Sequence, residues 1–322
     1  MKLSNRGLRG LLLATTIAAG VTGSLHAAQA GLALTAAGIA DGFVLSTFAS
    51  GFQSVSGVGP IGVGFFPGGG TVVTDYTGSV VTFTSDTDGQ TVSGTGTTRS
   101  GYTSPAGAVT IGGTVYVAQQ SSGTIVQLNS DGTMNRTVAG GLSSPTGLAV
   151  NPNTGHLLVS SDAIYDVDPA SGAITLFRSG TFDGLSVSPD GTTLYAESSG
   201  HVFGFLLSTA TQNFDSGFIS GADGAAAAGG SLAGNLIVNS NDGTVYLVNV
   251  TSLVTTLIAS GGSRGDLVTV DPNGSLLLSQ TDSVLRLTLP SGSSFVDAPE
   301  PASMTLLIVG IAAVGALRRR KR

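Results

Sequence analysis

The chain has 322 residues, of which 49 are glycine and only 10% are charged, against about 25% in average soluble proteins. This composition excludes a helical bundle, and the lack of a three-residue glycine period excludes a collagen. Because 41% of the residues are apolar, the chain can bury a core, and the absence of cysteine excludes disulfide and thiolate chemistry.

Basic residues are concentrated at the two ends of the chain. Eight of the thirteen lysines and arginines lie in the first ten and the last five residues. Residues 31–298 contain five arginines, no lysine and eighteen acidic residues, which gives this part a net charge of −13. Since such a body repels the phosphates of nucleic acids, we expect no nucleic-acid partner.

Residues 1–30 have the three parts of a secretory signal peptide. A basic start leads into an apolar stretch over residues 11–21, and Ala28 and Ala30 put small residues at the two positions that a signal peptidase reads. We therefore expect signal peptidase to cleave before Gly31. The alternative is a buried first helix, since the stretch is short for a membrane span.

Short apolar strand patterns recur about every forty residues between residues 31 and 290. Each unit has a first strand, a turn rich in Gly, Pro, Asn or Asp, two further strands and a more polar fourth strand. The equivalent positions are Gly62, Gly107, Gly147, Gly184, Gly224 and Leu267, separated by 45, 40, 37, 40 and 43 residues. Four short strands repeated six times predict an all-β fold, a six-bladed β-propeller spanning residues 31–290. A pair of β-sandwiches is the alternative.

Residues 42–290 resemble the NHL-repeat and gluconolactonase-like propellers. The resemblance rests on degenerate turn motifs such as Ser188-Pro189-Asp190-Gly191, so it supports the fold far more than a function. The hydrolytic enzymes among these propellers hold a divalent cation in the central channel with Glu, Asn and Asp side chains. The resemblance therefore implies that a similar site is possible here, with oxygen ligands that suit a hard cation such as Ca²⁺.

Acidic side chains are expected to meet at one mouth of the channel. The second strand of each unit ends near a polar residue, and three later units begin with an aspartate at an equivalent position. The candidate ligand or metal-binding residues are Asp75, Asp183, Glu197, Asp223 and Asp266. The alternative is that all of them are solvated residues of strand ends and loops, because Ser or Gln stands at several equivalent positions.

The sequence predicts no catalytic residue. His156 and His201 lie in different repeats, and neither has a Ser or Asp placed by sequence to complete a triad, so we interpret both as structural. The run Gly68-Gly69-Gly70 does not open a helix and is interpreted as a turn.

The last repeat lacks an outer strand, because the chain passes from the strand pattern at residues 284–289 into the turn at Pro290 and the Ser/Gly-rich linker over 291–298. Residues 42–51 have the pattern of such an outer strand. We therefore predict that this segment pairs with the final blade, closes the ring and buries Phe43 or Phe48.

The last 24 residues form a three-part tail over residues 299–322. Pro299, Glu300 and Pro301 are followed by an apolar run over 302–317 and by five basic residues. As a helix the run spans roughly 24 Å, slightly less than the ~30 Å hydrocarbon core, and the basic end stays in the cytoplasm. An ordinary tail anchor is the alternative. The whole pattern resembles the PEP-CTERM sorting signal of Gram-negative bacteria.

This second resemblance implies recognition of Pro299, Glu300 and Pro301 by an exosortase, a membrane protease or transpeptidase. It implies export, transient anchoring in the inner membrane, and a final location at the cell surface or outside the cell. Proteins with this signal are typical of biofilm-forming bacteria that produce exopolysaccharide. We therefore expect a non-catalytic propeller that binds extracellular polysaccharide or another matrix component. The alternative is an exported, metal-dependent, lactonase-like hydrolase.

Overall fold

The computed structural model describes residues 31–289 and Phe295. Over residues 31–289 the strands form six sheets, and the first strands of successive sheets are adjacent all the way round a ring. The described part of the chain is therefore a six-bladed β-propeller, as predicted, and the β-sandwich alternative is wrong. The predicted signal peptide and the apolar run of the tail lie outside the described residues.

The first segment runs along the outside of the last two blades before the first blade begins. Its elements are β1 (Ala33–Leu34), helix α1 (Ala36–Ala40) and β2 (Val44–Ser50). Blade 1 follows, with β3 (Pro60–Phe66), β4 (Gly70–Asp75), β5 (Ser79–Phe83) and β7 (Thr97–Ser100), and its long loop contains β6 (Gln90–Thr91).

Blades 2 to 4 each have four strands in chain order. Blade 2 consists of β8 (Pro105–Ile111), β9 (Thr114–Gln119), β10 (Thr124–Leu128) and β11 (Met134–Gly140). Blade 3 consists of β12 (Leu148–Asn151), β13 (His156–Ser160), β14 (Ala163–Val167) and β15 (Ile174–Ser179). Blade 4 consists of β16 (Leu185–Val187), β17 (Thr193–Ser198), β18 (His201–Leu206) and β19 (Gln212–Asp215).

The last two blades also take strands from the amino-terminal segment. Blade 5 consists of β20 (Ala222–Ala227), β21 (Asn235–Ser240), β22 (Val245–Asn249) and β23 (Thr255–Ser260), with a short 3₁₀ helix at Gly230–Leu232 and with β1 on its outer edge. Blade 6 consists of β24 (Val268–Val270), β25 (Leu276–Ser279), β26 (Ser283–Thr288), β2 and β6.

Burial explains why the strands of a blade differ in sequence. Each blade packs between two neighbours, so its central strands are buried on both faces and read as apolar runs, as in β13 with His156-Leu-Leu-Val-Ser160. The outer strand meets solvent and is polar, as in β11, where the first four residues are exposed. The core therefore consists of apolar clusters between successive blades.

The predicted ring closure is confirmed. Strand β2 pairs antiparallel with β26, from Val44 opposite Thr288 to Ser50 opposite Ser283. Phe43 is 4% exposed and Phe48 is fully buried. The ring of Phe48 meets that of Phe83 edge-on at 5.8 Å between centroids, so the closing strand also packs on blade 1.

A second contact was not predicted at the seam, the place where blade 6 meets blade 1 and the ring closes. Strand β6, from the loop of blade 1, pairs parallel with β2, so blade 1 adds a strand to blade 6. Arg286 on β26 is nearly buried and binds three carboxylates. Its guanidinium lies 2.7 Å from Asp86 and 2.7 Å from Asp88, both in the blade 1 loop, and it also contacts Asp271.

The helix α1 fixes the amino-terminal segment on blade 5. Thr35 caps the helix by accepting a hydrogen bond from the N–H of Gly38, and its backbone N–H donates to Ile258. Gly38 has no room for a side chain, because a Cβ there would lie 2.2 Å from the carbonyl oxygen of Ile258. Within residues 31–289, no helix is both long and apolar enough to cross a membrane.

Candidate functional site at the channel mouth

The central channel has two chemically different ends. The mouth is the end at which the first strand of each blade begins, and the far end is the one at which that strand finishes. Because neighbouring strands in a blade are antiparallel, each second strand finishes at the mouth. The starts of the first strands and the ends of the second strands therefore surround the mouth, as the sequence predicted.

Four of the five candidate acids converge on the mouth. Asp183 precedes β16, Glu197 lies on β17, Asp223 lies in β20 and Asp266 precedes β24. Asp183 and Asp223 share a hydrogen bond, and Asp266 lies close enough to raise the pKa of both. Glu197 is fully buried beside Asp183. Blades 4, 5 and 6 thus bring four carboxyl groups together.

Asp75, the fifth candidate, lies in blade 1, across the ring from blade 4. Its carboxylate accepts hydrogen bonds from the backbone N–H of Thr77 at 3.0 Å and from the hydroxyl of Thr77 at 2.6 Å. These bonds tie Asp75 into the turn between β4 and β5. The structure therefore does not bring Asp75 together with the other four acids.

Arg264 is the residue of this site that the sequence reasoning missed. Its guanidinium binds Asp266 in a bidentate manner, with Nη2 2.7 Å from Oδ1 and Nε 3.2 Å from Oδ2, and Nη2 lies 3.7 Å from the carboxylate of Asp223. The sequence feature that could have indicated Arg264 is its position two residues before Asp266, in a body that contains only five arginines. A tethered cation thus neutralises part of the acid cluster.

Burial raises the pKa of three acids in this cluster. The pKa of Glu197 is raised well above its usual value, first by burial and then by the charge of Asp183. The pKa of Asp223 is raised for the same reasons, with Asp266 adding to the effect. Burial also raises the pKa of Asp183, although Arg264 opposes the shift. These shifts favour the protonated form, and most strongly for buried Glu197.

Glu197 occupies a position at which other blades carry a hydrogen-bond donor. At this position of the second strand, Thr74, Ser160 and Asn239 each donate to a backbone carbonyl at the start of the next blade. Neither carboxyl oxygen of Glu197 has a hydrogen-bond partner among the described residues. A Cβ on Gly184 would meet both Oε2 of Glu197, at 2.4 Å, and the carbonyl oxygen of Asp223, at 2.5 Å.

A small cavity of about 80 Å³, lined by both polar side chains and the apolar side chains of Val58, Ile61 and Leu267, opens between the acids and the opposite side of the mouth. Tyr76, Gln120 and Thr146 line it on that side, and Asp183, Arg264 and Asp266 line it on the acidic side. The hydroxyl of Tyr76 donates to Gln120, and the amide of Gln120 donates to Thr146 at 3.2 Å. The cavity therefore presents donors and acceptors side by side.

The arrangement does not fit the cation of the hydrolytic propellers. Among the described residues, no group of three or more His, Cys, Asp or Glu side chains is arranged to hold a metal ion. The guanidinium of Arg264 lies against the two carboxylates, Asp223 and Asp266, that a cation would need. Within the part of the chain that the structure describes, only Glu197 has carboxyl oxygens that are buried and without a hydrogen-bond partner. Calcium binding stays a prediction of the sequence.

The two histidines that the sequence singled out are held within their own blades. Nδ1 of His156 lies 2.5 Å from Asp166, and this pair is at the far end. Nδ1 of His201 lies 2.8 Å from Asp215 on the neighbouring strand. Neither is part of the acid cluster, and a structural role for both stays a prediction.

The far end of the channel is mainly apolar. A cavity of about 400 Å³ extends there, and its wall includes Val63, Leu148 and Phe295 together with the polar residues Thr110, Ser186 and Asp271. The mouth differs from the far end by its cluster of four acids and Arg264.

Comparison with known proteins supports both the fold and the tail. Residues 297–321 match the PEP-CTERM protein-sorting motif. No sequence among the curated proteins matches the chain. A putative oxidoreductase (glucose dehydrogenase) from Thermus thermophilus is similar in structure, with a TM-score of 0.57 and 17% identity over 77% of this chain and 100% of the other.

Two further structures with the same fold have different roles in their names. Virginiamycin B lyase from Staphylococcus aureus gives a TM-score of 0.52 at 15% identity, over 77% of this chain and 99% of the other. A nidogen/laminin complex gives 0.56 at 14% identity, again over 77% and 99%. At such identities the likeness shows the fold alone. The described part of the chain is thus a six-bladed β-propeller, and the protein carries a PEP-CTERM motif, which implies export, transient membrane anchoring and processing by an exosortase.

Proposed function

We propose that the protein is a non-catalytic binding propeller of the cell surface or the extracellular matrix. In this role the sorting tail, Pro299 to Arg322, delivers the propeller, and the channel mouth binds a hydroxylated polymer such as an extracellular polysaccharide. A signal peptidase removes residues 1–30, and an exosortase acts at Pro299, Glu300 and Pro301. The domain boundaries at residues 31, 290 and 298 are part of this proposal.

The proposal rests on one observation: Arg264 neutralises part of the negative charge of the acids at the mouth. A cation-dependent hydrolase needs its carboxylates open toward the cation and the substrate, whereas here the guanidinium binds two of them. What remains at the surface is a mixture of donors and acceptors from Tyr76, Gln120 and Thr146. Sugar hydroxyls both donate and accept hydrogen bonds, so they match such a surface.

The size of the mouth cavity suits contact with the edge of a polymer better than it suits the enclosure of a small substrate. Its volume of about 80 Å³ is well below the roughly 300–1,000 Å³ of pockets that enclose a small-molecule ligand. A long polymer can contact such a shallow polar site from outside and gain affinity from repeated contacts.

A second candidate function, a lactonase-like hydrolase, rests on Glu197. A buried carboxyl group with a raised pKa and no hydrogen-bond partner is a chemically reasonable general acid. Turnover of simple lactones by the parent, lost in Glu197→Gln, would favour this candidate over the binding role. We expect no turnover by either protein.

The sorting part of the proposal is tested by replacing Pro299, Glu300 and Pro301 with alanine. The variant should still be exported but should remain unprocessed and held in the membrane by the apolar run over residues 302–317. Fractionation followed by mass spectrometry of the carboxyl end checks this expectation. A variant that is processed and distributed like the parent would contradict the role of these three residues.

A further inference from the structure

Phe295 is docked on the propeller although it lies beyond the last strand. Its side chain is 1% exposed, and its backbone N–H donates a hydrogen bond to the carbonyl oxygen of Gly274 at 3.0 Å. Gly274 lies in the turn between β24 and β25, at the far end of the channel. Two residues after Phe295, at residue 297, the matched sorting motif begins.

The seat of Phe295 is built from small side chains of blade 5. Its ring belongs to an apolar cluster with Phe43, Ala226 and Ala228, and it forms part of the wall of the far-end cavity. Ala226 and Ala228, at and just after the end of β20, belong to this cluster, and their short side chains leave room in it beside Leu276 of blade 6 for a phenyl ring. Burial of this ring is favourable because it removes a large apolar surface from water.

The position of Phe295 limits where the processing site can be. Four residues separate Phe295 from Pro299, and an extended chain spans at most about 3.6 Å per residue, so Pro299 lies within about 14 Å of the far end. The mouth is farther away by the length of a first strand, which is roughly 20 Å for the six residues of β20 at about 3.3 Å each.

We infer that Phe295 anchors the sorting tail to the far end of the propeller, so that the membrane and the exosortase face this end and the mouth points away from them. The inference concerns the orientation of the molecule and goes beyond the proposed binding role. In this orientation, the mouth of the membrane-bound precursor is already accessible to a ligand outside the membrane. It also defines the turns at the far end as the surface that the processing enzyme approaches.

The anchor itself can be tested in the purified full-length chain, because the protein contains no cysteine. Ala226→Cys, at a seat position that is 1% exposed, is compared in the parent chain and in Phe295→Ser, with Phe218→Cys, at a ring that is 73% exposed on the mouth face, as the control in both backgrounds. Maleimide should label Ala226→Cys at least about tenfold faster in Phe295→Ser than in the parent, since a buried thiol reacts only through local opening, whereas Phe218→Cys should react equally fast in both. Equal labelling of Ala226→Cys in the two backgrounds would overturn the anchor.

The orientation is tested in cells with the membrane-held variant that has alanine at positions 299 to 301. A bulky, membrane-impermeant maleimide is applied to single cysteines at Phe218, on the mouth face, and at exposed Asn153, in a far-end turn. Rates are normalised to the same cysteines in purified, processed protein, which comes from a precursor that retains Pro299, Glu300 and Pro301 and which has lost the apolar run. Labelling at position 218 should be severalfold faster than at position 153, and Phe295→Ser should remove the difference.

Equal normalised rates at positions 218 and 153 would overturn the inferred orientation, as would a difference that persists in Phe295→Ser. Fractionation of the same cells separates this inference from the sorting proposal. If the alanine variant is not held in the membrane, the sorting proposal fails, and the labelling of the purified chain still decides whether Phe295 is the anchor.

Discussion

Two arginines, Arg286 in blade 6 and Arg264 in the loop just before this blade, each bind more than one carboxylate. They do so in different surroundings. Arg286 is buried at the ring seam and satisfies three aspartates from two blades. Arg264 lies at the mouth, with 37% of its side chain exposed, and faces four acidic groups of which it binds two. The arginine of the first cluster is buried, whereas that of the second is partly exposed, although the carboxylates that it binds are buried.

This difference separates a structural cluster from a candidate site. At the seam, Arg286 also lies over the ring of Phe48 and donates to Ser275, so its planar group is held from several sides. Burial raises the pKa of aspartates in both clusters, Asp271 at the seam and Asp183 and Asp223 at the mouth, but among the described residues only the mouth has a buried carboxyl group, that of Glu197, without a hydrogen-bond partner. Unbalanced groups of this kind are more common at functional sites than in structural ion pairs.

The largest expected effect is the loss of Arg286. Arg286→Met leaves Asp271 buried without its cation, and breaking a buried ion pair costs about 3–5 kcal/mol. Arg99→Met is the matched control, because its contact with Asp131 at 3.6 Å is exposed and such pairs contribute about 0–1 kcal/mol. Chemical denaturation of both variants measures the difference. Equal losses of unfolding free energy would mean that the seam cluster is not structural.

An intermediate effect is expected when Arg264 is replaced. Arg264→Met leaves Asp223 and Asp266 without a cation, so the variant should be less stable than the parent in EDTA, and Ca²⁺ should restore stability by binding the freed carboxylates. The gain is about 2.7 kcal/mol when Ca²⁺ exceeds its Kd a hundredfold. The melting temperature of the parent should change little when Ca²⁺ is added. A parent melting temperature that rises with Ca²⁺ as much as that of the variant would show that Arg264 does not take the place of a cation.

The smallest expected effect concerns the pH dependence of Glu197. Because its pKa is raised in the folded state, the stability that its neutral form contributes is fully present below the unfolded pKa of about 4.3 and is lost as the pH rises through the folded pKa. Each unit by which the folded pKa exceeds the unfolded pKa changes the free energy of unfolding by about 1.4 kcal/mol. Glu197→Gln keeps a donor at this position and removes the titration.

Denaturation of the parent and of Glu197→Gln between pH 5 and pH 9 measures this effect. The unfolding free energy of the parent should fall faster with rising pH than that of the variant. Glu197→Ala is the control, because it also removes the titration, so its unfolding free energy should change with pH in parallel with that of Glu197→Gln. Parallel curves for the parent and Glu197→Gln would contradict a neutral Glu197.

The fold was predictable because its signals are local and repeated. The turns around Pro152, Pro189 and Pro272 mark the same position in three units, and the missing outer strand of the last unit pointed to residues 42–51. The contacts of β6 and of Arg286 were not predictable, since 198 residues separate Arg286 from Asp88 and nothing near either residue indicates the other.

The candidate site was predictable in part for the same reason. The repeat placed acids at the mouth, but equivalent positions in a ring can lie on opposite sides of it, which is why Asp75 does not join the other four. Arg264 was not predicted because the units that contain Asp183 and Asp223 have no arginine at the equivalent position, so it carries no repeat signal. The docking of Phe295 was missed because a single aromatic residue in a Ser/Gly-rich linker carries no periodic pattern.

The central claim, that the mouth is a binding surface without catalysis, is tested most directly by calorimetric titration of the processed protein with exopolysaccharide from the producing strain. The parent should bind, and Gln120→Ala should weaken binding about tenfold, because a lost hydrogen bond at the mouth costs roughly 1.4 kcal/mol. Gln127→Ala, whose side chain contacts Arg136 on blade 2, should bind like the parent. Absence of binding, equal affinities of all three proteins, or shortening of the polymer would contradict the claim.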